Sequence, residues 1–397
     1  MKRLVKLDEG VHERLFPSLD PEGPPLYLAS SEAGIEAYRR QSGARPGELH
    51  LWIESEEALR RLAARGRELR ARFVFPFGRL RPSEIAAHGS FDGPEEFEIR
   101  DEFLTDLSLL DPGIELLQKA STPSPSFSVV MPFFEDEERT AKALASWRRA
   151  LPGRAELILI DDGSAAGSWV RALVGTDPAH LTLLRLERKR KRRRGDSAFR
   201  AGIARNIGVR HSRADKIVFC DSDLLVPADF FSLLEPAFAS ADLIMPRRWQ
   251  LSEKASRELQ NADEVLFDRD TLLGPGAYWE TFQTEDRPWA LQETPWRWTS
   301  TFCLAMSREL FERTGGFKKT FLTYGFEDTE LGYRLHRAGA RFHLLPVPLY
   351  HLHQPESRSE YGNDPRKKTR LLRRSADRFF RHHPHRELYE ALKDWLD

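Results

Sequence analysis

Cysteine is almost absent: the 397 residues hold two, Cys220 and Cys303. Two thiols cannot build a disulfide framework or a zinc cluster. Both lie in apolar contexts, which reads as small buried side chains in a reducing compartment. Long hydrophobic runs are missing too, since no stretch approaches the ~20 apolar residues of a membrane-spanning helix. The opening MKRLVKLDEG lacks the apolar core of a secretory signal. An excess of one charge is also lacking, because 61 Lys and Arg balance 61 Asp and Glu. That excludes a surface built as a whole to hold a polyanion. The expectation is a cytoplasmic protein with no transmembrane segment and no nucleic-acid partner. Peripheral attachment to a membrane complex is the one membrane relation left open.

What is present is a globular composition, 40% hydrophobic and 31% charged, long enough for one large or two ordinary domains. The small, proline-punctuated STPSPS at 121–126 reads as a linker. Upstream, residues 1–120 carry three strand-like pieces, LYLAS, LHLWIE and RFVFPF, and a helix-like EEALRRLAARGRELR. They suggest a small α/β extension without a chemical motif. Downstream, 127–364 alternates strand and helix: FSVVMPFF, then Thr140 to Ala150, AELILI, SWVRALVG, LTLLRL, Ala198 to Val209, and KIVFC. This order implies a mainly parallel sheet with helices on both faces. Residues 365–397 are basic and helical, ending in the amphipathic ELYEALKDWLD.

In such sheets ligands bind at the carboxyl ends of strands, and two acidic motifs lie there. Ile217-Val218-Phe219 runs into Asp221-Ser222-Asp223, where an uncompensated charge at the edge of a core is costly. Carboxylates converging at a strand end suit a hard cation, Mg2+ or Mn2+, that keeps positions open for phosphate oxygens. The bland alternative, a solvated turn with Asp223 capping a helix, is the weaker reading in this context. Asp161-Asp162 follows LILI and precedes Gly163-Ser164. Loop chemistry and a contact to a nucleobase or ribose are about equally supported there.

Three further features carry candidate chemistry. Glu327 and Asp328 fall at the start of a helix that Gly339 ends, so they cap it and offset its dipole. The same position suits Asp328 as a general base. His351 and His353 alternate after FHLLPVPLY, and His351 is the preferred extra metal ligand. Trp279, Trp289, Trp296 and Trp298, with Tyr278 and Phe282, form an aromatic-rich stretch suited either to loop packing or to stacking on an acceptor sugar. The run ERKRKRRRG at 187–195 reads first as a solvated loop.

Taken in order, SVVMPFFED, LILIDDGS, ARNIGV, IVFCDSD and GGF…GFEDTELGYRL resemble family 2 glycosyltransferases of the GT-A fold, over roughly Phe127 to Pro355. The nearest flavour is the branch with chondroitin-type polymerases and related galactosyl- and N-acetylgalactosaminyltransferases. The resemblance implies polysaccharide biosynthesis by a metal-dependent transferase that moves a sugar from a UDP-sugar to an acceptor hydroxyl, on a glycan or another molecule. Pro132, Phe134, Asp136 and Asp161 or Asp162 would hold the uridine part, and Arg205 and Asn206 would lie near the donor. Asp221, Ser222 and Asp223 match the DxD motif that carries the sugar nucleotide with Mn2+ or Mg2+, and His351 matches a late metal ligand. Glu327 would contact the acceptor, as Trp296 and Trp298 are expected to, and Asp328 would be the base. A carboxylate base opposite the leaving group favours inversion. Phe134 departs from the Tyr or His that many members carry.

Two rivals from other classes are a nucleotidyltransferase and a non-catalytic polyanion binder working through residues 188–194. The first would need a glycine-rich phosphate loop, and SVVMPFFED has no glycine.

Overall fold

The computed structural model describes residues 4–6, 26–42, 48–53, 57–62, 72–76, 83, 87, 97–100 and 112–395, except 166–167, 189–198, 267, 269, 274–293, 323–324 and 355–363. Tyr278, Trp279, Phe282, Trp289 and nearly all of the basic run lie outside the described residues. The chain forms two compact units, Met1–Thr105 with Arg373–Asp397, and Asp106–Leu372.

The first unit holds a five-stranded sheet in the order β1 (Leu4–Lys6), β2 (Leu26–Ala29), β3 (Glu48–Trp52), β4 (Arg72–Pro76) and β5 (Phe97–Arg100). All neighbours pair in parallel. Helix α1 (Glu32–Ser42) follows β2 and buries Ile35. The three strands expected here are present, and LVK and FEIR flank them. Those two are too short to stand out as apolar runs. Residues 373–397 cluster with this unit instead of standing alone, which revises the separate C-terminal segment drawn at 365–397. Phe379, Phe380 and Leu392 are fully buried, and Ser83 donates to Asp377 at 2.9 Å.

The second unit is built on a nine-stranded mixed sheet flanked by helices. Its strands are β6 (Ile114–Gln118), β7 (Phe127–Phe133), β8 (Ala155–Asp161), β9 (Leu181–Leu186), β10 (Lys216–Cys220), β11 (Leu224–Leu225), β12 (Leu243–Gln250), β13 (Cys303–Ser307) and β14 (Phe342–His351). The order is β11-β14-β12-β13-β10-β7-β8-β9-β6. The heart of it, β10-β7-β8-β9, is parallel. β6 closes one edge antiparallel to β9, so the STPSPS stretch lies within this unit and the boundary falls earlier than residue 120. β13 runs antiparallel between β10 and β12.

Central parallel strands have no solvent face, so they read as unbroken apolar runs. Every residue of β7 and β8 is buried. One of them is Glu156, whose charge is met by Ser128 Oγ at 2.6 Å and by Arg213 through its backbone N at 2.7 Å, Nε at 2.8 Å and Nη2 at 2.6 Å. Helix α2 (Glu137–Ala150) places Trp147 fully inside, edge-on to Phe230 at 5.6 Å. Helix α3 (Ala201–His211) crosses β7 and β8 so closely that a Cβ on Gly208 would meet Val130 and Ile160.

This topology fixes where ligands can bind. The chain leaves β7 toward β8 and β9, then returns to place β10 on the other side of β7. Such a reversal opens a crevice at the strand carboxyl ends. The ladder between β7 and β10 stops at Phe219↔Val130, so Pro132 sits beyond it and removes no ladder bond on that side. Among the described residues no helix is long and apolar enough to cross a membrane.

Candidate active site

The crevice is lined from both sides of the reversal. At the end of β10 the Asp221 backbone N–H donates to Phe302 O at 2.8 Å, which ties the acidic turn to the residue before β13. Asp221 Oδ1 accepts from Arg205 Nη2 at 2.8 Å, and the Asp221 side chain stays 33% exposed. Arg205 itself is buried in α3. Its Nη1 stands 3.9 Å from Asp328 Oδ1, so one guanidinium joins carboxylates more than a hundred residues apart. Desolvation pushes the pKa of Asp221 up to about 6, with Asp223 and Asp328 adding to the rise and Arg205 opposing it.

After the turn, β11 pairs antiparallel with the end of β14, with Leu224 opposite His351. This brings Asp223 against His351, Oδ2 to Nε2 at 3.1 Å. Burial lowers the pKa of His351, with Arg248 contributing, so a neutral imidazole donates through Nε2–H to an ionised Asp223. Burial alone would raise the Asp223 pKa, but the His351 contact, with Arg139 and Arg248, holds it at about 2. Two acceptors remain: Asp223 Oδ1 and His351 Nδ1 are buried with no hydrogen-bond partner among the described residues. The ionised Asp223 Oδ1, buried without a donor, fits a cation, while the His351 Nδ1 lone pair leaves the far side of the ring from Asp223. Yet Asp221, Asp223 and His351 do not form the expected three-ligand cluster, because Asp221 is turned to Arg205. Among the described residues no three His, Cys, Asp or Glu side chains stand as a metal-holding group. Ser222 lies in the turn between the two aspartates.

Asp328 sits in the first turn of helix α4 (Glu327–Arg337), at the helix start where the sequence placed it. The chain enters this helix through Gly325 at φ 89° and Phe326 at φ 67°. A left-handed phenylalanine stores strain of about 1–3 kcal/mol, which persists only where the surroundings impose it. Here it aims Glu327 and Asp328 out of the turn. Both Asp328 oxygens are then taken by one residue: Thr301 Oγ1 donates to Oδ1 at 2.6 Å and Thr301 N–H to Oδ2 at 3.1 Å. A Cβ on Gly332 would strike Thr299 and the Trp296 carbonyl, so α4 packs tightly on the turn Pro295–Trp298.

The Asp161-Asp162 pair divides. Asp162 is fully buried and accepts from Arg200 N–H at 2.7 Å and Arg200 Nε at 2.9 Å, with Arg188 on its other side. Asp161 Oδ1 accepts from Ser164 N–H at 2.8 Å, while its Oδ2 is buried without a hydrogen-bond partner. Arg188 also lies 4.2 Å over the Phe134 ring, which stacks on Phe199 at 6.5 Å.

Several expected contacts have other employment. Asp136 caps α2 and holds Arg139 Nε at 2.6 Å. Asn206 brackets Phe317, donating to its O at 2.8 Å and accepting from its N–H at 2.9 Å, and is not turned to a donor. Trp296 is 3% exposed and packs edge-on to Tyr333, so its faces are not open to a sugar. Trp298 is half-buried beneath Arg297. Thr301, Arg139, Arg200 and Arg248 were not singled out from the sequence, and Arg188 only as part of the basic run. Nothing in the local pattern of a lone Thr or Arg marks it, since only the tertiary fold brings it to a carboxylate.

A crevice at a strand-order reversal, with carboxylates at the strand ends and a helix N-terminus opposite, defines a GT-A glycosyltransferase domain. Residues 128–315 match the family model described as glycosyl transferase family 2, and residues 293–355 match the N-terminal domain of galactosyltransferase. Residues 128–315, a little under half of the chain, thus carry a glycosyltransferase family 2 domain. It is similar to the validoxylamine A glucosyltransferase of Streptomyces hygroscopicus subsp. limoneus, 26% identical over 283 residues, which is 67% of this chain and 58% of that protein. The chondroitin synthase of Escherichia coli is 25% identical over 223 residues, 52% of this chain and 31% of that one. The chain therefore spans less than two thirds of either relative. Among solved structures, a mannosyltransferase from Pyrobaculum calidifontis in complex with GDP-Man and Mn2+ aligns with a TM-score of 0.45 and 18% identity, covering 72% of this chain and 74% of that one.

Proposed function

We propose that this domain transfers a sugar from a UDP-sugar to an acceptor hydroxyl, with inversion at the anomeric carbon. The observation that carries the reading is the Arg205 bridge, Nη2 to Asp221 at 2.8 Å and Nη1 to Asp328 at 3.9 Å. It puts the carboxylate suited to the donor side and the carboxylate suited to the acceptor side in one crevice. Asp328 takes the proton of the attacking hydroxyl, its plane fixed by Thr301. Glu327, beside it, contacts the acceptor. Asp161, whose Oδ2 accepts no hydrogen bond and has only the Arg185 charge at 3.7 Å, is the member of its pair that reads the nucleobase, since Asp162 is spent on Arg188 and Arg200. Asp223, through its Oδ1, is the residue that would hold Mn2+ or Mg2+. Such an ion, when bound, neutralises charge on the departing diphosphate.

UDP release from a panel of UDP-sugars, with and without EDTA, tests this in wild type, Asp328→Asn and Asp223→Ala. We expect metal-dependent turnover that Asp328→Asn abolishes while UDP binding persists, and that Asp223→Ala makes insensitive to EDTA at a residual level. Metal-independent turnover unchanged by both substitutions would refute the assignment.

A further inference from the structure

The Arg205 guanidinium that joins Asp221 to Asp328 is tied at one corner. Among the described residues its side chain makes one hydrogen bond, Nη2 to Asp221 at 2.8 Å, while Nε and Nη1 are buried with no hydrogen-bond partner. A single hydrogen bond fixes a distance but leaves the plane of the fork free to swing. The face of the guanidinium is met by Phe317, with the ring centre 5.6 Å from Arg205 Cζ, within the range of a cation–π contact.

Phe317 is fixed from several sides. Asn206, next to Arg205 on α3, grips its backbone, donating to its O at 2.8 Å and accepting from its N–H at 2.9 Å. One turn earlier on α3, a Cβ on Gly202 would meet the Phe317 Cβ at 3.2 Å. The Phe317 ring is buried and stands edge-on to Phe219 at 5.5 Å. The chain enters it through Gly315 at φ 80° and Gly316 at φ 61°, and a Cβ on Gly316 would strike Asn206 Oδ1 at 2.7 Å. From the other side Arg334 donates to Thr314 O, and to Gly316 O at 2.6 Å. Arg334 is itself held by the fully buried Glu330 through two bonds of 2.7 Å. Both residues lie on α4, whose first turn carries Asp328. The turn 314–317 therefore ties the helix of Arg205 to the helix of Asp328.

We propose that Phe317 is a positioning residue for the transfer reaction: its ring sets the plane of the Arg205 guanidinium, and so the spacing of Asp221 and Asp328 across the crevice. This rests on the glycosyl-transfer reading above. Phe317 touches neither carboxylate and acts only through Arg205.

Turnover of the UDP-sugar that wild type uses, in Phe317→Leu, Arg205→Met and the double variant, tests it. Leucine keeps a buried apolar side chain and removes the ring face. Phe317→Leu is expected to lower kcat/KM about 2- to 30-fold, the scale of a cation–π contact. On top of Arg205→Met it is expected to cost nothing further, because the residue it acts through is gone. Equal losses in both backgrounds, or no loss in either, would overturn the proposal in favour of core packing alone. A second readout needs no turnover. The Arg205 Nε–H resonance, assigned by its disappearance in Arg205→Met, should move in Phe317→Leu as the ring current is lost, and an unmoved resonance would also overturn the proposal. Should Phe317→Leu fail to fold, Asn206→Ser, which drops both ties to the Phe317 backbone, takes its place in both measurements. Wild type that turns over no UDP-sugar would overturn the transfer reading itself, wherever the resonance lies.

Discussion

Replacing Thr301 by Val isolates one hydrogen bond in the candidate base. Thr301 is fully buried, and its hydroxyl donates to Asp328 Oδ1 at 2.6 Å while its backbone N–H donates to Oδ2 at 3.1 Å. Valine keeps the shape and the backbone bond but removes the hydroxyl. A hydrogen bond to a charged group contributes about 1.5–3 kcal/mol. Without it, the other cation beside Oδ1 is Arg205 Nη1 at 3.9 Å, too far for a hydrogen bond. The carboxylate is then free to rotate toward Arg205, and the proton acceptor leaves its line to the incoming hydroxyl. If the bond is fully needed for that alignment, kcat falls by about 10- to 100-fold. Donor KM is expected to hold, because Thr301 touches the base and not the donor carboxylates. Thr301→Ser restores the hydroxyl and should recover most of the rate. The assay is coupled UDP release at saturating donor with varied acceptor. A Thr301→Val enzyme with wild-type kcat, or one whose loss lies wholly in donor KM, would refute the reasoning.

Glu156→Gln should cost about 3 kcal/mol by urea denaturation, at the low end of the range for a broken buried pair because Arg213 stays 29% exposed; a cost below 1 kcal/mol would show the pair to be dispensable. In pH titration of stability, Asp242 is expected to contribute on the acid side: its hydrogen bond from Arg341 lowers its folded pKa, so the stabilisation is present above the unfolded value and is lost as pH falls through the folded one. Asp242→Asn should flatten that acid limb, and an unchanged limb would refute the assignment.

How much of this the sequence shows depends on how local the cause is. β7, β8 and β9 are legible because strands buried on both faces must be continuous apolar runs, and FSVVMPF, AELILID and LTLLRL are such runs. The carboxyl ends of β8 and β10 are legible for the same reason, since Asp161 and Asp221 are the first charges after LILI and IVFC. β6 and β13 are not, because an antiparallel edge or insertion is set by partners elsewhere in the chain. Asp136, Asn206 and Trp296 show the limit for the site. Their neighbours in sequence match a donor or acceptor motif, but the structure gives them a helix cap, a backbone bracket and a packing contact. A residue type at a motif position states what chemistry is available there and leaves open which neighbour uses it.

The adjacent aspartates make the physical criterion explicit. Asp161 and Asp162 are both fully buried, so each must be compensated or be costly. Asp162 is compensated within the chain by Arg200 and Arg188. Asp161 Oδ2 is not hydrogen-bonded among the described residues, and neither are Asp223 Oδ1 and His351 Nδ1. Each buried polar atom left so costs about 1–3 kcal/mol. A fold that places arginines on Asp162 and Glu156 has the means to satisfy acids where structure alone is at stake. Arg185 Nε stands 3.7 Å from Asp161 Oδ2, too far for a hydrogen bond, so three acceptors at the ends of β8, β10 and β14 keep a lone pair for partners from outside the chain. The nucleobase donor and the cation proposed for this crevice are partners of the required sign.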